Sequence, residues 1–370
     1  MDSHVAIAHD FFVQDGGAER CALELARLLP GANVYTTFFD DSTFAGRLDP
    51  RRVHRWPLQR VMGGRRFRAL LPLYPLYFST LDLRHARLVV SSSVAFAKAV
   101  RTSRSALHVS YVYTPMRYAW DLDAYLRESS YSLPTRVAAR ALRAPLLAWD
   151  VRTARSPDVL VAISETVRDR IHARWKQNAE VIYPPVDVSE FSVSTRDDGY
   201  LLVAARLVAY RRLDVAVEAA SALGRELVVV GDGPERARLE AIAGPTVRFT
   251  GHVSRDELIE LFAGCHAYVL PGEEDFGIAP LEAMASGKPV VAYGRGGATE
   301  TVEDGVTGIL FDRQSASGLI EALERLDATS FETATLRAQA ERFDRHRFHT
   351  GWTSLFARLG VDPEDYAPAG

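Results

Sequence analysis

Cysteine is scarce in this chain: Cys21 and Cys265 are the only two in 370 residues. Far apart in sequence, they form neither a disulfide framework nor a metal cluster, and a reducing compartment is expected. No apolar run reaches the roughly 20 residues needed to span a bilayer. The opening MDSHVAIAHD has no basic segment followed by an apolar one, so it does not read as a secretory signal. A cytoplasmic location follows as the expectation, with association at the inner face of the membrane as its extension. Low-complexity tracts and internal repeats are also missing. A net charge of -3 excludes a general nucleic-acid binder. Acid is absent locally as well. None occurs from Arg51 to Leu81, while seven arginines lie between Arg51 and Arg68, and the run LLPLYPLYF follows at Leu70–Phe78.

Two common nucleotide-binding patterns fail. Gly231-Asp232-Gly233-Pro234-Glu235 follows an apolar run as a dinucleotide fingerprint would, but Arg236 stands at the third glycine, which argues against NAD. Gly287-Lys288 is followed by Pro289, and Glu282 stands where a phosphate-binding loop needs its first glycine. Asp121-Leu122-Asp123 has the form of a metal-binding pair, but no apolar strand runs into it. No other metal-ligand spacing occurs, so no metal and no resident cofactor are expected.

What is present is an alternation. Apolar content of 47% and charged content of 25% suit a globular chain, and the length suits two domains. Short runs rich in Val, Ile and Leu occur at Val5–Ala8, Val34–Thr37, Leu88–Val90, Leu107–Val112 and Val159–Ile163. They recur at Tyr200–Ala204, Leu227–Val230, Val247–Thr250, Tyr268–Leu270 and Pro289–Ala292. Helix-like stretches lie between them at Ala18–Leu29, Asp214–Leu223, Arg255–Ala263, Ile278–Ser286 and Ala316–Leu326. Strand–helix alternation implies parallel sheets covered on both faces, and its double occurrence predicts two doubly wound α/β domains. The boundary falls in VIYPPVDVSEF, Val181–Phe191, where Pro184-Pro185 stops regular structure. In such folds ligands sit beyond the carboxyl ends of the strands, so a site is expected in a cleft between the domains.

Several motifs lie at those strand ends. Gly16-Gly17-Ala18-Glu19 opens a helix, where free N–H groups favour phosphate; a plain tight turn is the alternative. Arg206-Leu207-Val208-Ala209-Tyr210-Arg211-Arg212 puts cations where a leaving diphosphate would need them. Tyr111–Asp121, YVYTPMRYAWD, combines aromatics with Arg and Asp, suited to sugar stacking or to loop packing. Most informative is Glu274-Asp275-Phe276-Gly277-Ile278-Ala279-Pro280-Leu281-Glu282, with two glutamates separated by seven residues. Its second half reads as a helix, which places Glu282 about one turn in and facing a ligand at the N-terminus, with Glu274 in the loop before it. An acidic first turn that complements the helix dipole is the plainer reading.

Together these motifs resemble family 4 of the GT-B glycosyltransferases, in that family's order. They are Gly16-Gly17, Arg206, the Glu274/Glu282 block and Gly296-Gly297-Ala298-Thr299-Glu300. The wording HDFF…GGAER, YTPMRYAWD, RLVAYRRLD and EEDFGIAPLEAMASGKPVVA is similar to mannosyltransferases of the O-antigen type. The resemblance implies a GT-B fold of two Rossmann-like domains. Residues 1–185 would form the acceptor side, with a helix at about 346–360 packing back on it, and residues 186–345 the donor side. It implies retaining transfer of a hexose, with GDP-mannose favoured over a UDP-sugar, to a glycan, lipid-linked or small-molecule acceptor, without a metal.

The catalytic set implied is Glu274, Arg206, Arg211 and Tyr113. The donor-binding set is Gly16, Gly17, Gly231, Phe276, Gly277, Ile278, Leu281 and Glu282. In these roles the arginines stabilise the leaving diphosphate, Glu274 holds sugar hydroxyls and Glu282 holds the ribose. Two departures stand out. The family's usual His is Tyr113 here, and its usual Lys is Arg211. Any role that needs an imidazole at position 113 is lost, which makes a nucleotide-sugar-binding pseudoenzyme the competing reading. An epimerase on a similar fold is a third. The Arg51–Phe78 stretch, with Trp56, Phe67, Leu70, Leu71, Tyr74 and Tyr77, is expected to meet an anionic membrane surface; a packed core segment ringed by solvated arginines is its alternative.

Overall fold

A computed structural model describes residues 4–62, 70–127 and 132–361. The chain divides into two compact units. One comprises residues 1–122, 137–185 and 348–370; the other comprises 123–136 and 186–347.

The first unit is built on seven parallel strands: β1 (Val5–His9), β2 (Asn33–Thr36), β3 (Val53–Arg55), β4 (Leu88–Ser93), β5 (Leu107–Val112), β6 (Val159–Ala162) and β7 (Glu180–Val181). Their order across the sheet is β3-β2-β1-β4-β5-β6-β7. The central strands β1 and β4 are buried along their whole length, as strands covered on both faces must be. Ala6, Ala8 and Val89 meet Tyr74, Phe78, Phe96 and Met116 in one core cluster. On β5, Tyr111 receives the rings of Phe348 and Trp352 from the Arg345–Arg358 helix, at 6.0 and 5.4 Å.

Polar groups tie this unit together where β1 and β4 end. The buried Asp10 carboxylate accepts the backbone N–H groups of Val94, Ala95, Phe96 and Ala97 at 2.5–2.9 Å. The next residue, Lys98, reaches Asp150 at 2.7 Å, and both side chains are buried. The other oxygen of Asp150 accepts the indole N–H of Trp120 and of Trp175, each at 2.7 Å. A buried charge is tolerable only when it is paired and hydrogen-bonded, and this one is.

The Arg51–Phe78 stretch differs from its expectation. Arg52 donates to the carbonyls of Ala26, Leu29 and Ala32, which closes the end of the Gly17–Leu28 helix. Arg55 pairs through two bonds with Asp41, an acid that precedes the run. Leu70 and Tyr74 are buried, and Trp56, Leu71 and Tyr77 pack against the same core instead of facing outward. Leu73 and Leu76 are the exposed ones. Arg65, Arg66, Phe67 and Arg68 lie outside the described residues.

The second unit has six parallel strands: β8 (Leu201–Ala204), β9 (Leu227–Val230), β10 (Val247–Gly251), β11 (Ala267–Leu270), β12 (Val290–Tyr293) and β13 (Gly308–Phe311). They are ordered β10-β9-β8-β11-β12-β13. Valine and leucine on these strands meet the Leu213–Leu223 and Ala316–Asp327 helices through Leu213, Val217, Leu319 and Leu323. The Ile278–Ala285 helix packs against β11 and against the Thr333–Glu341 helix.

Asp10 gives a stability test. Asp10→Ala strips the acceptor from four N–H groups, and a buried donor left unpaired costs about 1–3 kcal/mol. Even if water satisfies half of them, a loss of about 3 kcal/mol is expected. Urea unfolding monitored by tryptophan fluorescence measures it, and an unchanged midpoint would show that the carboxylate does not hold the turn.

Candidate active site

In the second sheet β8 and β11 are neighbours, although the chain leaves β8 for β9 and β10 before it returns to β11. Connections diverge there, so the loops after the two strands open a crevice at the carboxyl edge. The first loop carries Arg206, Arg211 and Arg212; the second carries Gly272 to Gly277. They touch main chain to main chain: a Cβ on Gly272 would stand 2.6 Å from the Arg211 carbonyl oxygen. This close approach brings the Arg211 guanidinium onto the Glu274 carboxylate as an ion pair. Arg211 also lies over the Tyr210 ring at 5.2 Å. Its Nε is buried, with no hydrogen-bond partner among the described residues.

A second glycine contact fixes the other side of the loop. Gly297 donates its N–H to the Glu274 carbonyl at 2.8 Å, and a Cβ on it would stand 2.3 Å from the Phe276 Cα. Gly296-Gly297, quoted above only as part of a resemblance, is thus the clamp on the segment that carries Glu274. Phe276 is buried against Phe343 at 5.6 Å. Gly277, at φ 93°, turns the chain into the Ile278–Ala285 helix as its N-cap residue and brings no side chain of its own to cap it. That end carries partial positive charge. Ile278 is half-buried there, and the Leu281 side chain is fully buried.

The remaining expected residues are placed less uniformly. Arg206 is exposed, and its side chain has no ion pair or hydrogen bond among the described residues. Gly231 sits under the same loop, with its Cβ position 2.1 Å from the Ala205 carbonyl oxygen, so close packing by itself requires glycine there. Glu282, expected to face a ligand, is 5% exposed and accepts a 2.8 Å bond from Arg255 Nη1. Arg255 was not singled out from the sequence, because a lone cation in a first helical turn carries no pattern.

In the first unit Gly16 precedes the Gly17–Leu28 helix and Gly17 is its first residue, as read. The group that meets this N-terminus comes from the helix itself, however. The Glu19 carboxyl folds back so that its Oε2 stands 2.7 Å from where a Gly16 Cβ would be, and it accepts backbone N–H groups of Gly16 and Glu19. Burial pushes its pKa up to about 8. Tyr113 is buried as well. Its hydroxyl donates to the Ala18 carbonyl at 2.9 Å and lies 2.8 Å from Ser92 Oγ. Behind Ser92, at 3.0 Å, is His9 Nδ1, a residue that sequence reasoning left aside although it ends β1. Burial lowers His9 to about 4, so it is neutral near pH 7, and its buried Nε2 has no partner among the described residues. In the Tyr111–Asp121 motif, Trp120 bonds Asp150 and Asp121 pairs with Arg174 at 2.9 Å.

Two family profiles cover the chain. Residues 15–190 match Glycosyltransferase Family 4, and residues 188–342 match Glycosyl transferases group 1. The chain belongs to family 4 of the GT-B glycosyltransferases. It is 34% identical over 194 residues to a GDP-mannose-dependent alpha-mannosyltransferase of Mycobacterium tuberculosis, covering 49% of this chain and 50% of that one. It is 30% identical over 234 residues to the GDP-mannose-dependent alpha-(1-6)-phosphatidylinositol monomannoside mannosyltransferase of the same species, covering 55% and 60%. The chain thus spans about half the length of these curated relatives. Among solved structures, Anabaena HepE in complex with UDP superposes with a TM-score of 0.69 at 20% identity, over 96% of this chain and 100% of that one. At such identity the likeness speaks for the fold, which is GT-B, two parallel-sheet Rossmann-like α/β domains.

Glu19 gives a pH-dependent test for this family member. Its folded pKa, about 8, lies above the ordinary 4.5, so the folded chain holds a proton that the unfolded chain releases between those values. Its contribution to stability is therefore full below pH 4.5 and is lost as pH rises toward 8. Glu19→Gln keeps an acceptor for the helix end and has no charge to bury. It should melt at a higher temperature than wild type at pH 8 and at about the same temperature at pH 4.5. Equal differences at both pH values would show that Glu19 is ionised at no cost.

Proposed function

We propose that the chain is a retaining glycosyltransferase that moves a hexose from a nucleotide-sugar donor, GDP-mannose in the first instance, to a glycan, lipid-linked or small-molecule acceptor. The carrying observation is the Arg211–Glu274 pair at the carboxyl ends of β8 and β11, beside a helix N-terminus whose cap residue is Gly277. Oxygen-rich donors need those three features together: a cation for the diphosphate, a carboxylate for sugar hydroxyls and free N–H groups for phosphate oxygens. Arg206, exposed on the same loop, adds a second cation. A bound diphosphate would draw Arg211 from Glu274 and leave that carboxylate to the sugar. The bond from anomeric carbon to diphosphate oxygen breaks, the acceptor oxygen bonds that carbon on the same face, and the leaving diphosphate takes the acceptor proton. Two arginines, with no metal ion and no cofactor, carry the charge of that step.

GDP-mannose dependence in the two mycobacterial relatives supports the donor, and the buried, hydrogen-bonded Tyr113 hydroxyl supports a bracing part for that residue. UDP bound to Anabaena HepE supports a UDP-sugar as the second donor reading. The pseudoenzyme reading predicts donor binding without turnover. Transfer and donor hydrolysis measured with GDP-mannose and UDP-glucose decide among the three. Glu274→Ala is expected to lower turnover about 10²–10³-fold with the protein still folded. Arg206→Ala is expected to weaken nucleoside diphosphate binding in calorimetry. Near-normal turnover in the first variant, or unchanged affinity in the second, removes that residue from its role.

An anionic membrane surface is the proposed partner of the first unit, with a revised set of contacts. Leu73 and Leu76 are exposed, as are Val137 and Leu142 on the Leu133–Thr153 helix, which carries no acid before Asp150. Arg51 is exposed and forms an ion pair with Asp49 at 3.6 Å. Among the described residues no helix is long and apolar enough to cross a membrane. Co-sedimentation with phosphatidylserine vesicles should be strong at low salt and weak at high salt, with roughly 1 kcal/mol lost per arginine removed. Binding unchanged by Arg51→Ser with Leu76→Ser and Val137→Ser would place the contact elsewhere.

A further inference from the structure

Arg255 stands where local rules disfavour it. It is the first residue of the Arg255–Gly264 helix, whose start is fixed by a Ser254–Glu257 capping box. A cation in that position faces the positive end of the helix dipole. The next two residues, Asp256 and Glu257, are the acids that such a turn normally holds. A residue that opposes its local setting needs a compensating partner elsewhere, and Arg255 has two. Nη1 bonds Glu282 Oε1 at 2.8 Å, while Nε and Nη2 hold Glu190 Oε2 at 2.7 and 2.6 Å. The guanidinium lies over the Phe191 ring at 4.9 Å. One planar fork therefore joins the Val188–Glu190 turn, its own helix and the Ile278–Ala285 helix that opens at the candidate site.

Glu282 is buried, and a buried carboxylate keeps its charge and its rotamer only with a counter-charge and hydrogen bonds. The second half of the glutamate pair thus depends on a residue 27 positions earlier. We propose that Arg255 is the positioning residue of nucleoside recognition, holding the Glu282 carboxylate in place for the ribose hydroxyls of the donor. This rests on the reading of Glu282 as the ribose ligand. Arg255 itself does no chemistry at the sugar. Its effect is to make affinity depend on the ribose, since a carboxylate free to swing accepts a hydroxyl hydrogen bond only at an entropic cost.

The readout is a ratio that general loosening would not move. GDP and 2′-deoxy-GDP, and UDP and 2′-deoxy-UDP, are titrated by calorimetry into wild type, Glu282→Gln, Arg255→Gln and Arg255→Lys. Hydrogen bonds to charged groups lead to an expected ribose preference of roughly ten-fold in wild type for the pair that binds. Arg255→Gln should bring it to about one, as Glu282→Gln should. Arg255→Lys keeps a charge but not the fork, and should retain about a third of the preference. If Arg255→Gln fails to fold by circular dichroism, the Lys variant decides, and a full wild-type ratio there overturns the proposal. A wild-type ratio in Arg255→Gln, with the ratio lost in Glu282→Gln, overturns the part given to Arg255 and leaves Glu282 as ribose ligand. No ribose preference in wild type, or one that survives Glu282→Gln, overturns the ribose reading and the proposal with it, while the Arg211–Glu274 assignment stands on its own assay.

Discussion

The second unit's site depends on main chain lying against main chain. At Gly272 and Gly297 a single added carbon would fall 2.3–2.6 Å from backbone atoms of Arg211 and Phe276, well inside van der Waals contact. Those approaches hold the loop after β8 and the loop after β11 together, and the Arg211–Glu274 pair is their consequence. Long side chains reach each other from many separations. A guanidinium and a carboxylate held by loops that touch have far less freedom, and preorganised groups of this kind do most in charge stabilisation. The Nε of Arg211 belongs to the same picture, because a buried donor with no acceptor among the described residues is rare and calls for one from outside.

The first unit spends its polar groups differently. Asp10, Lys98 and Asp150 are buried and consumed by one another and by backbone N–H groups and indoles. The Gly16-Gly17 turn, which could have met a phosphate, is met by Glu19 of the same helix. Tyr113 is a strut between the helix that carries Ala18 and the strand that carries Ser92. Each of these groups is met by a partner within the same unit. The exception is His9, neutral and with one ring nitrogen unmatched at the end of β1.

Much of the architecture could be read from hydrophobic runs. The interior strands β1, β5, β8, β9 and β11 lie within a residue or two of the Val, Ile and Leu runs that announced them, because a strand covered on both faces is largely apolar along its length. Several of the elements that were missed are ones for which that demand is relaxed. β3, β7 and β13 are edge strands, and β3 lies among arginines. The Leu133–Thr153 helix buries only Asp150 and Thr153 and contains Pro145, so no apolar stripe marks it.

Sequence alone determined the parallel α/β character, the glutamate pair with its helix between, and the cations at the end of β8, because these depend on local periodicity and on short spacing. It also carried the family through the order of its motifs. Tertiary structure decided which charges meet. Arg211 meets Glu274 across 63 positions, Arg255 meets Glu282 across 27, and Tyr113 meets Ala18 across 95. Burial then decided which polar groups are spent inside the fold and which remain for a ligand. Periodicity fixes the face on which a side chain lies, but only the packing of separate elements sets what lies opposite that face, and electrostatic pairing depends on distances that the chain's order does not encode.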